Sequence, residues 1–193
     1  FRGRFGIKGY DLTINYVQEP PVATASLDGD DYGVIPFRRR AGFTFKGDLG
    51  DLGVYGAFGH YFGEANAKGN SYLLGVDYSY PVNYYKLTIQ WEYLGLDGIK
   101  LTQLVGLNSP YTMLSSGKEK TDLLTGNLAY PLDDFSSLGL TAITNLDGSN
   151  YLIVPSYQNT LTGNLDLDLS MLFFWSESGP NSTSIAVGLS YPF

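Results

Sequence analysis

The stretch Tyr85-Lys86-Leu87-Thr88-Ile89-Gln90-Trp91-Glu92-Tyr93 decides how the chain is read. Its odd positions are all apolar or aromatic, and its even positions are all polar. Successive side chains of an extended strand leave on opposite faces, so the segment is a strand with one greasy face and one wet face. A helix, with its period near 3.6, would scatter the same residues around its circumference.

The same pattern recurs on both sides of this stretch. Tyr72, Leu74, Val76, Tyr78 and Tyr80 alternate with Ser71, Leu73, Gly75, Asp77 and Ser79. Tyr10, Leu12, Ile14 and Tyr16 alternate with Asp11, Thr13, Asn15 and Val17. Leu165, Leu167, Leu169, Met171 and Phe173 alternate with Asp166, Asp168, Ser170, Leu172 and Phe174. The spacing predicts strands near 10–18, 37–48, 53–63, 70–81, 84–95, 121–131, 137–146, 150–160, 164–175 and 183–193, with a partial strand near 1–6.

Composition narrows the class. Charged residues make up only 16% of the 193 residues, while tyrosine and glycine number 16 and 24. This suits an all-β chain with a large wet surface and a large greasy one, not a helical bundle rich in Ala, Glu, Lys and Leu. The longest uninterrupted apolar run, 171–175, is far short of the roughly 18 residues a membrane helix needs. If the chain spans a bilayer it does so as a closed barrel, since an open sheet leaves backbone groups unpaired in lipid. Cysteine is absent, which excludes disulfides and thiolate chemistry. The net charge of −7 argues against nucleic acid, whose binding calls for a basic footprint.

Alternation alone also fits a soluble sandwich. Three features favour a membrane barrel. The strands run to about 9–11 residues, the span of a tilted membrane strand, against a usual soluble length near 5–6. Aromatic residues gather at strand ends: Tyr78, Tyr80, Tyr84, Tyr85, Tyr130, Tyr191 and Phe193 at one, Tyr16, Tyr61, Trp91, Tyr93, Phe173 and Trp175 at the other. Such girdles place rings half in lipid and half in water. Finally, tight connections at 6–9, 48–52, 81–83, 132–137 and 161–163 alternate with others at 19–36, 63–69, 95–120, 147–149 and 176–182, longer on average. The tight set is rich in Gly, Asp, Asn and Pro.

The final segment, Ser184-Ile185-Ala186-Val187-Gly188-Leu189-Ser190-Tyr191-Pro192-Phe193, resembles the C-terminal strand of bacterial outer-membrane proteins, with an aromatic last residue and apolar residues at every second position. Pro192 departs from that pattern. Gly9-Tyr10-Asp11-Leu12-Thr13-Ile14-Asn15-Tyr16, Leu74-Gly75-Val76-Asp77-Tyr78 and Tyr151-Leu152-Ile153-Val154-Pro155-Ser156-Tyr157 are similar in style to bacterial porins. The resemblance implies an antiparallel up-and-down transmembrane β-barrel of the bacterial outer membrane, passive transport, and recognition of Tyr191 and Phe193 by the barrel-assembly machinery. It also implies membrane lipid as a partner, and a homo-oligomer such as the trimers of many porins. Short turns would then face the periplasm. About ten strands plus a fragment leave two readings of 1–193 as one barrel domain. Either 1–6 is a tail, or it ends a strand of a longer barrel of 12–16 strands, of which this is the C-terminal part.

The wet face is where pore function belongs. By parity it carries Arg2, Arg4, Arg38, Arg40, Lys46, Lys86, Asp11, Asp77, Glu92, Asp166 and Asp168. The first long connection carries Asp28, Asp30 and Asp31, which would form a constriction facing Arg38 and Arg40 if it folds inward. The expected function is passive diffusion of small solutes or ions. The alternatives are a closed structural or adhesive barrel that anchors the envelope through its loops, and a hydrolase relying on His60, the one histidine. No Gly-x-Ser-x-Gly accompanies His60, which favours a structural role. No cofactor or metal is expected: one His and no Cys make a poor zinc or iron set, and 28–31 lacks the spacing of a calcium loop.

Overall fold

The computed structural model describes residues 1–18, 39–62, 68–98, 120–161, 165–177 and 180–191. They form β1 (Arg2–Ile7), β2 (Tyr10–Gln18), β3 (Arg39–Leu49), β4 (Leu52–Phe62), β5 (Lys68–Val82), β6 (Tyr85–Asp97), β7 (Lys120–Pro131), β8 (Ser136–Asn145), β9 (Asn150–Thr160), β10 (Asp166–Ser176) and β11 (Ser182–Ser190). All belong to one eleven-stranded sheet in which every strand lies beside its neighbours in sequence. The fold is an all-β, antiparallel, up-and-down meander, as the alternation predicts. β1 and β11 are its edges, so the sheet is not closed on itself.

The partial strand expected near 1–6 is β1, which with the ten others makes eleven. The segment near 1–6 is a full strand, pairing with β2 over six positions from Arg2 opposite Asn15 to Ile7 opposite Tyr10. Lys8 and Gly9 both take positive φ, 47° and 84°. Such a turn matches the right-handed twist of the flanking strands, so it clamps a short segment that periodicity alone leaves marginal.

By chain contacts the molecule divides into two compact units. One comprises Phe1–Asp48, Val54–Leu74 and Leu94–Asp122; the other comprises Leu49–Gly53, Gly75–Tyr93 and Leu123–Phe193. In the first, the β1–β2–β3 register sets Leu12 beside Phe5 and Phe45, and Ile14 beside Phe43, on one face. In the second, Leu140, Pro155 and Leu128 share a face, as do Ile153, Phe173, Leu169 and Val187 across β8 to β11.

These apolar rows are not packed against a second sheet. Ile185, Val187 and Leu189 remain 68%, 66% and 65% exposed. A soluble sandwich buries such rows to gain about 25 cal/mol per Å² of apolar surface.

Tyr61 does not join the aromatic ends of the apolar face. A Cβ built on Gly59 would lie 3.3 Å from the Tyr61 ring and 2.9 Å from the Ser71 hydroxyl, so Tyr61 shares the side of Ser71. His60 and Phe62, one residue either way, lie on the other side.

Candidate functional site

The polar face of the first unit gathers basic residues. Arg2 and Arg4 stand on β1 opposite Asn15 and Thr13. Asp11 faces Gly6 on one side and Lys46 on the other. Arg4 closes on Asp11 at 2.7 Å, with both side chains more than half exposed. Exposed pairs of this kind contribute only about 0.2–1 kcal/mol, so the contact orients charge more than it stabilises. Arg40 lies opposite Val17 and is therefore on the same face.

The polar face of the second unit is mostly acidic. Asp77 stands over Gly53, where an added Cβ would fall 2.6 Å from its carboxylate. A side chain at that position would have to displace the carboxylate. The Trp91 ring lies over Gly126, which puts the odd positions of β6 on the apolar face and Lys86 and Glu92 on the polar one. Gln90 donates to Glu92 at 3.1 Å. Asp166 lies between Thr160 and Ser190 and accepts a hydrogen bond from the Thr160 hydroxyl at 2.7 Å. Asp168 lies between Gln158 and Gly188.

Two features of this unit escape the parity reading. Asp133 and Asp134, in the connection from β7 to β8, join Asp166 and Asp168 around a cavity of about 490 Å³, with Gln158 and Ser190 in its wall. Asp133 accepts the Phe135 N–H at 2.8 Å. The Ser136 hydroxyl and that N–H together hold its carboxyl below the usual carboxylate range. The signal was the pair Asp133-Asp134 in a tight turn, read only as turn chemistry.

The second feature is apolar. Ile143 faces Leu152, and Leu152 faces Phe174, on the face that elsewhere carries Asn127, Thr141, Ser156 and Asp168. Ile143 and Leu152 are each 3% exposed and Phe174 is 7% exposed. Leu123, also buried, sits opposite Asn145 in the same region. The wet face is therefore interrupted by an apolar cluster at one level of the strands.

Of the remaining predicted residues, Arg38, Asp28, Asp30, Asp31 and Phe193 lie outside the described residues, and Tyr191 follows the end of β11. His60 turns to the apolar face. Its Nδ1 lies 2.8 Å from Asn70 Oδ1 with the ring N–H donating, and its ring meets Phe62 edge-on at 4.6 Å. Among the described residues, no three His, Cys, Asp or Glu side chains group as metal ligands.

No family model matches the chain. No curated protein matches it in sequence. Among solved structures, the anion-selective porin from Comamonas acidovorans matches with a TM-score of 0.58 over 100% of this chain, at 12% identity. The chain spans 58% of that porin's length. At this identity the likeness carries the fold: an antiparallel, up-and-down sheet of the porin-barrel type.

Proposed function

We propose that the chain forms part of a porin-like channel of the bacterial outer membrane, through which small solutes or ions diffuse passively. One observation carries the reading. In each unit most apolar side chains of the paired strands share one face, where Phe5, Ile14 and Phe43 in the first and Ile153, Leu169 and Val187 in the second stay exposed, while Arg4, Asp11 and Lys46 in the first and Asp166 and Asp168 in the second lie on the other. Such a sheet has hydrocarbon as its natural partner on one side and water on the other. The porin likeness supports the reading at the level of fold. On it, Arg2, Arg4, Arg40, Lys46, Lys86, Asp11, Asp77, Glu92, Asp166 and Asp168 line the aqueous path. Tyr191 directly follows the strand that the assembly machinery reads, lipid surrounds the apolar face, and the assembly is a homo-oligomer such as a trimer.

The Ile143–Leu152–Phe174 cluster favours a second reading, in which the barrel is closed to solutes and serves as an anchor or adhesive. An apolar constriction excludes ions by dewetting. Planar-bilayer recording of the purified protein separates the two. Stepwise unitary currents support the channel, and a silent bilayer with the protein demonstrably inserted supports the closed barrel.

A further inference from the structure

The apolar face of the first unit changes character where its strands meet the longer connections. On that face the Phe43 ring of β3 meets the Phe58 ring of β4 at 5.9 Å, and His60 of β4 meets Asn70 of β5 at 2.8 Å. Neighbouring strands are antiparallel, so the chain numbers run in opposite senses outward from each pair. Four residues beyond Phe43 and Phe58, Arg39 stands beside Phe62. Two residues beyond His60 and Asn70, Phe62 stands beside Lys68. Arg39, Phe62 and Lys68 thus form one row across three adjoining strands, and Gln18 of β2 continues it opposite Arg39.

Charge and height say what fits. Arg39 is exposed and pairs with no carboxylate among the described residues. No Asp or Glu stands on this face of β2, β3 or β4 among the described residues. At the opposite end of the same strands the face finishes at Tyr10, Leu49 and Leu52, without charge. Tyr16, opposite Ala41, lies two residues inside the row, about 7 Å at the usual strand rise. An aromatic ring at that level marks the border between hydrocarbon and headgroups, so the row stands at headgroup depth. Its two basic residues are two strand spacings apart, about 10 Å between backbones.

We infer that this row receives the phosphate monoester of a membrane lipid, whose acyl chain lies along the Phe43 and Phe58 rings. The inference rests on the reading that the apolar face meets the bilayer. A phosphate monoester carries about −1.5 to −2 charges at neutral pH, which answers two basic residues. A zwitterionic headgroup brings an ammonium as well, and the row holds no carboxylate to receive it. The planar guanidinium of Arg39 matches two phosphate oxygens at once.

The test reconstitutes the protein in phosphatidylcholine vesicles at neutral pH and compares the motionally restricted fractions of spin-labelled phosphatidic acid and spin-labelled phosphatidylcholine. Wild type holds phosphatidic acid in preference. Arg39→Gln and Lys68→Gln each lower that preference by roughly fivefold, the effect expected of one basic residue at a membrane surface. Lys8→Gln, which removes the same charge at the opposite end of the strands, leaves it unchanged. Equal preference in wild type and both row variants, or an equal fall in Lys8→Gln, overturns the inference while the membrane reading stands. Protein that does not float with the vesicles overturns both.

Discussion

Ile143 and Leu152 stand directly opposite each other on β8 and β9, each 3% exposed, on the face that carries the sheet's charged and amide side chains. Two aliphatic side chains so placed act as packing and as barrier. They stabilise this level of the sheet, and they make the adjoining space hostile to ions.

Leu152→Ala should therefore cost about 2–5 kcal/mol, the range for a buried leucine whose surroundings relax incompletely. Urea unfolding in lipid vesicles measures it. Leu152→Ser should add an increase in unitary conductance if the cluster narrows the path, read in planar bilayers against wild type.

Trp91 and Gly126 make a tighter pair on the opposite face, where an added Cβ would come 2.8 Å from the indole. Gly126→Val forces the ring away and should destabilise by about 1–3 kcal/mol. Tryptophan emission checks the cause: Trp175 lies on another strand, beside Phe173, so a shift in the spectrum reports Trp91.

The Arg4–Asp11 ion pair predicts a division between stability and selectivity. A double-mutant cycle with Arg4→Gln and Asp11→Asn should give a coupling of about 0.2–1 kcal/mol, since both groups are exposed. Asp11→Asn alone should move the reversal potential in a salt gradient toward anions, because it leaves Arg4 and Lys46 uncompensated.

Most of the architecture was legible in the sequence, and the reason is a single number, the two-residue period of a strand. β6 reads off Tyr85 to Tyr93 almost residue by residue, and its neighbours follow with boundaries shifted by one or two positions. Period two assigns a side but says nothing of height along the strand or of what faces the side chain across the ladder. Parity thus groups Leu172 and Phe174 with the polar set, and the burial of Phe174 with Leu152 and Ile143 depends on a register that only the paired strands define. Tyr61 was misplaced for a related reason: in 53–63 glycines and aromatics fall on both parities, so composition does not mark the greasy side. β1 reads only as a partial strand because its six residues include Arg2, Gly3, Arg4 and Gly6, a weak pattern rescued by the Lys8-Gly9 turn.

Acid should weaken the β7–β8 connection. Asp133 accepts bonds from the Ser136 hydroxyl and the Phe135 N–H, so its folded pKa lies below its unfolded value. The stabilisation is present above the unfolded value and is lost as pH falls through the folded one. Asp133→Asn should lower stability at neutral pH toward the acid value of the wild type and so flatten the profile across the acid range. Urea midpoints across the acid range measure it.

The account turns on which medium each face of the sheet meets. Single nitroxide labels placed in turn from Lys86 to Glu92, in protein reconstituted into vesicles, measure this through collision with oxygen, which concentrates in hydrocarbon, and with a water-soluble nickel complex. The account predicts a two-residue oscillation, with oxygen contact highest at Leu87, Ile89 and Trp91 and nickel contact highest at Lys86, Thr88, Gln90 and Glu92. A flat profile, or one with its maxima exchanged, would contradict it.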